Sequence, residues 1–161
     1  MTRLTVRVGI VLAGLAVVAA AAPGQRRVRG GRAVRVERPA VGPRVGYDFD
    51  VDHLFLGGQL SLPVGRRWAL VPSAEFYPGQ TGSLFRLNAD LKYHPPTVYG
   101  LFYFGAGFAY LHASGASDAG ANLFAGWEGR QARPFKPFLE AKFVFADNTS
   151  FNVLAGLNFP L

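Results

Sequence analysis

The stretch LFRLNADLKY, from Leu84 to Tyr93, decides the fold class of this 161-residue chain. It alternates strictly between two sets of side chains: Phe85, Leu87, Ala89, Leu91 and Tyr93 on one side, and Leu84, Arg86, Asn88, Asp90 and Lys92 on the other. A period of two places successive side chains on opposite faces of a β-strand, whereas a helix would need a period near 3.6. The stretch therefore predicts a strand with one apolar face and one largely polar, charged face.

The same alternation recurs on both sides of this stretch and predicts eight strands in all. They are expected at about 43–50, 53–63, 67–77, 82–93, 98–111, 119–128, 134–146 and 149–160. Pro72 predicts a local bulge in the third strand because proline cannot donate to a ladder. The fifth strand is apolar on both faces. Short turns rich in Gly, Pro, Asn and Asp separate the strands, which favours an all-β, eight-stranded antiparallel up-and-down barrel.

Residues 1–40 differ in composition from the predicted barrel domain, residues 41–161. Met1–Arg7 is short and basic, and Val8–Ala22 is an apolar run that ends in small residues. This pattern is typical of a cleaved signal peptide, predicted at 1–22, and a 15-residue run is too short to span a bilayer. Residues 23–40, PGQRRVRGGRAVRVERPA, predict a basic flexible linker.

Charge and cysteine content exclude several functions. The chain has 17 Lys+Arg against 10 Asp+Glu, but residues 41–161 carry nine of each, so the excess lies in the N-terminal segment. A basic nucleic-acid-binding face on the barrel is therefore not expected. The absence of cysteine excludes a disulfide scaffold and a thiol nucleophile, and three histidines make a histidine-rich metal site unlikely. We predict no cofactor, no metal and no catalytic residue.

Alternation alone leaves two kinds of barrel open, a soluble lipocalin-like barrel with an apolar interior and a transmembrane barrel with an apolar exterior. Strands of about 10 residues suit a tilted bilayer crossing. Aromatic residues cluster at strand ends, as membrane-interface girdles do. The predicted interface aromatics are Trp68, Tyr93, Trp127, Phe135 and Phe159 at the inner rim, with Phe49, Phe76, Tyr110, Phe145 and Phe151 at the outer rim.

The polar faces carry few charges, and these are nearly balanced in sign. A narrow barrel interior requires such pairing because an unpaired buried charge is costly. The predicted interior charge network comprises Asp48, Glu75, Arg86, Asp90, Lys92, Glu128, Lys136, Glu140 and Lys142. Pairing Phe76 with Phe85 would place Glu75 opposite Arg86, and a slip of one residue would break that match.

From about Val41 onward, the chain resembles the small eight-stranded outer-membrane barrels of the OmpA/OmpX/OmpW type. The resemblance rests on the alternating strand Phe85–Tyr93 and on the terminal strand Phe151–Phe159, which looks like the C-terminal signal read by the outer-membrane insertion machinery. It implies a bacterial outer-membrane location, with outer-membrane lipid, lipopolysaccharide and that machinery as partners.

An eight-stranded barrel is just filled by its side chains, so a general diffusion pore is not expected. We predict a structural or interaction role. One alternative is a soluble periplasmic lipocalin-like binder. Another is a lipid A-modifying enzyme, because His112, Ser114 and Glu128 resemble the residues of lipid A deacylase barrels. A third is metal bridging to lipopolysaccharide by acids on the outer connections, Asp50, Asp52, Asp118 and Asp147, whereas Arg66, Arg67, Arg130 and Arg133 lie on the inner turns.

Overall fold

A computed structural model of the chain describes residues 38–79, 84–96, 102–113, 115–129 and 134–161. The predicted signal peptide and all but the last three residues of the predicted linker lie outside these ranges. The described residues form eight β-strands: β1 Ala40–Asp48, β2 His53–Pro63, β3 Trp68–Tyr77, β4 Leu84–Tyr93, β5 Phe102–Ala113, β6 Ala116–Glu128, β7 Lys136–Phe145 and β8 Thr149–Pro160. No helix among these residues is long and apolar enough to cross a membrane.

The strands close into one antiparallel barrel in sequence order, with β8 paired to β1. The predicted eight-stranded up-and-down fold is confirmed. Both chain ends of the barrel lie at one rim, where the Leu161 amide donates to the Pro39 carbonyl, and we call this rim the terminus end. The opposite rim, which carries the β1–β2, β3–β4, β5–β6 and β7–β8 connections, is the distal end.

The register is staggered, as closure of a barrel requires. A path that starts at Asp48 on β1 and steps to the paired residue on each successive strand circles the barrel. It returns to β1 at the level of Arg38, so the stagger is ten residues. The path runs through Asn152, Lys142, Phe124, Gly105, Lys92, Ala69 and Pro63. In the β3–β4 ladder Phe76 pairs with Phe85 and Glu75 with Arg86, so the predicted register is confirmed.

Some predicted boundaries are wrong. Strand β1 begins at Ala40, inside the predicted linker, and ends at Asp48, which leaves Phe49 in the turn. Strand β6 begins at Ala116, three residues before the predicted start at 119. Ser117 and Asp118 belong to the strand because they pair with residues on β5. This cross-strand pairing outweighs the turn propensity of the two residues.

The bulge predicted at Pro72 is also wrong. Pro72 pairs with Ala89 in an unbroken β3–β4 ladder. On its other side the β2–β3 pairing is interrupted opposite Pro72 but resumes in the same register at Leu62 and Leu70. The missing amide of Pro72 therefore removes a hydrogen bond from the β2–β3 ladder without inserting a residue.

The two faces of the wall have opposite character. Many large apolar side chains on the outside are exposed, for example 46% for Leu87 and 75% for Phe108. Inward positions hold charged, amide and aromatic side chains, of which Arg86 is 0% exposed. This arrangement is the reverse of a lipocalin-like barrel, whose apolar face would point inward.

Candidate functional site: the charged barrel interior

Arg86 bonds to side chains of three other strands in the barrel interior. It projects from β4, and its guanidinium Nε donates to Glu75 Oε2 at 2.5 Å. Nη1 donates to Asp48 Oδ2 at 3.3 Å, and Nη2 donates to Asn152 Oδ1 at 3.1 Å. Phe55 lies beneath the guanidinium, 5.2 Å from its carbon. One planar cation therefore links strands β1, β3, β4 and β8 across the lumen.

Arg44 joins this cluster from β1, although it was missing from the predicted network. Its Nη2 lies 3.0 Å from Glu75 Oε1 and 3.7 Å from Glu140 Oε1, and Nη1 donates to Gln59 Oε1 at 3.2 Å. Arg44 has the same parity along β1 as Asp48, so the alternation could have placed it inside. The inward Gly42 and Gly46 leave this face with few polar side chains, which hid the pattern.

A second cluster lies midway along the barrel. Lys142 Nζ donates to Asp90 Oδ2 at 2.5 Å and lies 3.7 Å from Glu140 Oε1. The Tyr103 hydroxyl donates to Glu140 Oε2 at 3.0 Å, and Lys92 Nζ lies 4.0 Å from the Tyr103 ring centroid. Lys142 Nζ also lies 5.2 Å from the Phe124 ring centroid, and Lys92 Nζ lies 3.9 Å from Glu128 Oε1. Both buried lysines thus have a carboxylate and an aromatic face near them, which is the environment a desolvated charge needs.

Glu128 organises the terminus end of the lumen. Its carboxylate accepts from Lys136 Nζ at 3.0 Å and from Asn158 Nδ2 at 3.0 Å. His94 Nε2 lies 3.1 Å from the same carboxylate, and Lys92 Nζ lies 3.9 Å from it. His94 therefore has a partner that the sequence did not suggest, because the two residues are 34 positions apart.

Four inward aromatic rings lie over glycines on the neighbouring strand. A Cβ at any of these glycines would overlap the ring opposite; the pairs are Gly46 with Phe55, Gly105 with Phe124, Gly126 with Tyr103, and Gly156 with Phe138. Pairing an aromatic side chain with a glycine across two strands covers the exposed glycine backbone and permits strong local curvature. These pairs explain why so many glycines occur in strands.

The interior charges cancel. The structure brings together all nine residues of the predicted network and adds Arg44, giving five cations and five carboxylates: Arg44, Arg86, Lys92, Lys136 and Lys142 with Asp48, Glu75, Asp90, Glu128 and Glu140. Asn122 is a contrast, since it is fully buried and neither of its amide atoms has a partner among the described residues. No group of three metal-ligating side chains occurs within the described ranges.

The predicted interface aromatics all project from the outer face at or near strand ends, and six of the ten form ring contacts with another member. At the terminus end the rings of Trp68 and Tyr93 are 4.6 Å apart, and Phe135 lies 6.2 Å from Phe159. At the distal end Phe49 stacks on Phe151 at 5.5 Å. The remaining predicted members are Phe76, Tyr110, Trp127 and Phe145, each more than a third exposed.

Two of the three residues of the enzyme alternative lie at opposite ends of the barrel. His112 lies near the distal end of β5, whereas Glu128 ends β6 at the terminus end, and Ser114 lies outside the described residues. The partner of His112 is Ser117, whose Oγ is 2.9 Å from Nδ1. The Tyr110 hydroxyl also donates to Ser117, at 2.9 Å. No described carboxylate orients this histidine, so the geometry lacks the third member of a triad.

Comparison with solved structures gives the same architecture. The N-terminal β-barrel domain of Pseudomonas aeruginosa OprF matches with a TM-score of 0.65 and 16% identity, covering 78% of this chain and 98% of that chain. Neisserial surface protein A matches with a TM-score of 0.56 and 12% identity over 76% and 96%. The de novo designed TMB2.3 gives 0.58 and 15% over 78% and 94%.

These three proteins are transmembrane β-barrels, and identities this low establish a shared fold alone. No protein-family model matches the chain. No curated protein matches it in sequence.

Proposed function

We propose that this chain is a bacterial outer-membrane protein, exported with a cleaved signal peptide, whose barrel has a structural or interaction role. The observation that carries the proposal is the inverted distribution of its side chains. Leu56, Leu87 and Leu123 lie more than 45% exposed on the outer wall, whereas Arg86 and Lys142 are fully buried in the lumen. Such a surface is stable in hydrocarbon and would aggregate in water.

A filled lumen argues against a general diffusion pore. The guanidiniums of Arg44 and Arg86 cross the lumen to carboxylates on other strands, and the rings of Phe55, Tyr103 and Phe138 are at most 3% exposed. Opening a path would require breaking several charge-assisted hydrogen bonds at once. We propose that the closed barrel serves as a rigid membrane-embedded scaffold that presents its two rims to partners.

Two experiments test this proposal. The protein in an isolated membrane fraction should migrate differently on a gel before and after boiling, because a folded barrel survives detergent, and its mature N-terminus should start near residue 23. Unchanged mobility of a protein recovered in the soluble fraction would contradict the membrane assignment. Vesicles carrying the barrel should not swell in isotonic sugar, whereas vesicles with a general porin should; swelling would contradict the closed lumen.

A further inference from the structure

Among the described residues, the charges outside the lumen differ in sign between the two ends of the barrel. Arg38, Arg66 and Arg67 are exposed at the terminus end. Among the described residues of the distal end, the charges outside the lumen are Asp50, Asp52, Asp118 and Asp147, with no lysine or arginine. The sequence adds Arg130 and Arg133 to the β6–β7 connection and Arg26, Arg27, Arg29, Arg32 and Arg35 to the N-terminal segment, all outside the described residues.

The bases outside the lumen at the terminus end share a second property, which is that all are arginines. The chain's lysines, Lys92, Lys136 and Lys142, all bond to lumen carboxylates. A guanidinium presents a planar fork of donors that fits two phosphate oxygens at once, whereas an ammonium acts as a point charge. The choice of arginine at this rim therefore favours a phosphate-bearing partner.

The position of these arginines beside the aromatic girdle indicates which phosphate-bearing partner they bind. Arg66 and Arg67 immediately precede Trp68, which opens β3 and packs against Tyr93 at 4.6 Å on the outer wall. The Arg67 carbonyl accepts from the His94 amide, which fixes the turn against the end of β4. Interfacial Trp and Tyr rings sit at the headgroup level of a bilayer. In an embedded barrel the chain at Arg66 and Arg67 therefore adjoins the headgroup level, where long arginine side chains can reach lipid phosphates.

We propose that Arg38, Arg66 and Arg67 form an arginine collar that binds the phosphate groups of anionic phospholipids in the leaflet around the terminus end. This inference rests on the proposed membrane embedding. A cell-wall polymer is disfavoured because it would stand away from the bilayer, whereas the collar adjoins the girdle that contacts lipid. Anionic lipid headgroups would offset the excess positive charge at this end, and the acidic distal end would attract none of them.

The chain contains its own reporters for this site. Its two tryptophans, Trp68 and Trp127, both lie at the terminus end. Protein purified from membranes would be reconstituted into vesicles that contain a small fraction of either brominated phosphatidylglycerol or brominated phosphatidylcholine with identical acyl chains. A Trp127→Phe background lets Trp68 report alone on lipid beside Arg66 and Arg67.

We expect brominated phosphatidylglycerol to quench Trp68 more strongly than brominated phosphatidylcholine, and this preference to weaken as salt is raised. The variant R66Q/R67Q should lose most of it, at about fivefold in association per arginine, which corresponds to about 1 kcal/mol. The matched control D50N/D52N, at the distal end, should retain the wild-type preference.

Equal quenching by both lipids, or an unchanged preference in R66Q/R67Q, would overturn the arginine collar. Binding of soluble cell-wall fragments that depends on Arg66 and Arg67, together with equal lipid quenching, would assign the collar to a polymer and equally overturn it. Loss of quenching by both lipids in the wild type would instead contradict the membrane embedding itself, and the gel-mobility measurement separates that failure from loss of lipid selectivity.

Discussion

The ion pair between Glu75 and Arg86 provides the sharpest test of the interior. Both side chains are 0% exposed, and 2.5 Å separates Arg86 Nε from Glu75 Oε2. Replacing Arg86 by Met removes all three of its hydrogen bonds and leaves Glu75 with Arg44 at 3.0 Å as its remaining cation. Removing one partner of a buried pair costs about 3–5 kcal/mol, and we expect Arg86→Met to fall in that range.

Replacing Glu75 by Gln is expected to cost less, about 1–3 kcal/mol, because Arg86 keeps Asp48 and Asn152 as acceptors. The double variant removes both charges and leaves no new unpaired ion at this pair. Its cost should therefore be smaller than the sum of the single costs by about 1–3 kcal/mol, the coupling typical of residues in one buried network.

Urea unfolding and refolding in lipid vesicles, followed by gel mobility and tryptophan fluorescence, would supply the four free energies of this double-mutant cycle. Asp50→Asn is the matched control, since this exposed distal-end aspartate should change the free energy of unfolding by less than about 0.5 kcal/mol. Additive effects of a few tenths of a kcal/mol would refute the reasoning, because they would mean that the pair is solvated or that the register is wrong.

Three further predictions concern the wall and the lumen, and each is measured as a free energy of unfolding in vesicles. Leu87→Arg places a charge on the outer face and should cost about 2–4 kcal/mol at mid-membrane; a wild-type value would mean that this face does not contact lipid. Asn122→Leu should be neutral or stabilising, because both amide atoms of Asn122 lack partners among the described residues. Asn152→Leu breaks a hydrogen bond to Arg86 and should cost about 1–3 kcal/mol. A larger cost for Asn122→Leu than for Asn152→Leu would contradict the assigned contacts. Gly126→Ala forces a Cβ into the opposing ring and should cost about 1–3 kcal/mol, whereas Gly58→Ala meets no atom closer than 3.9 Å and should cost less; equal costs would show that the ring does not lie over Gly126.

The strand pattern and the register were predictable because alternation is a local property of the chain. The repeat from Phe85 to Tyr93 fixes which side chains share a face, and pairing Glu75 with Arg86 then selects one register. Alternation is the same in soluble and transmembrane barrels, so it does not show which face points outward. The outward direction of the apolar face was predicted from strand length and from the aromatic girdles.

The lumen contacts were less predictable because they join residues distant in sequence. Arg86 reaches Asn152 across 66 positions, and His94 meets Glu128 across 34. The stagger between the strands brings such residues together, and no short-range sequence pattern encodes this stagger. The inward ring of Tyr103 was hidden because β5 is apolar on both faces. The signal that could have revealed it is its paired glycine, Gly126, just as Gly105 pairs with the inward ring of Phe124 on β6.

Leucine methyl groups offer the most direct measurement of the central claim, that the apolar face meets lipid while the charged face fills the lumen. Leu87, Leu123 and Leu139 are about half exposed on the outer wall, whereas Leu154 projects inward and is 1% exposed. In lipid nanodiscs, nuclear Overhauser effects between leucine methyls and lipid acyl chains should appear for the three outer leucines and be absent for Leu154. Contacts between acyl chains and Leu154, or contacts of the outer leucines with water alone, would contradict the account.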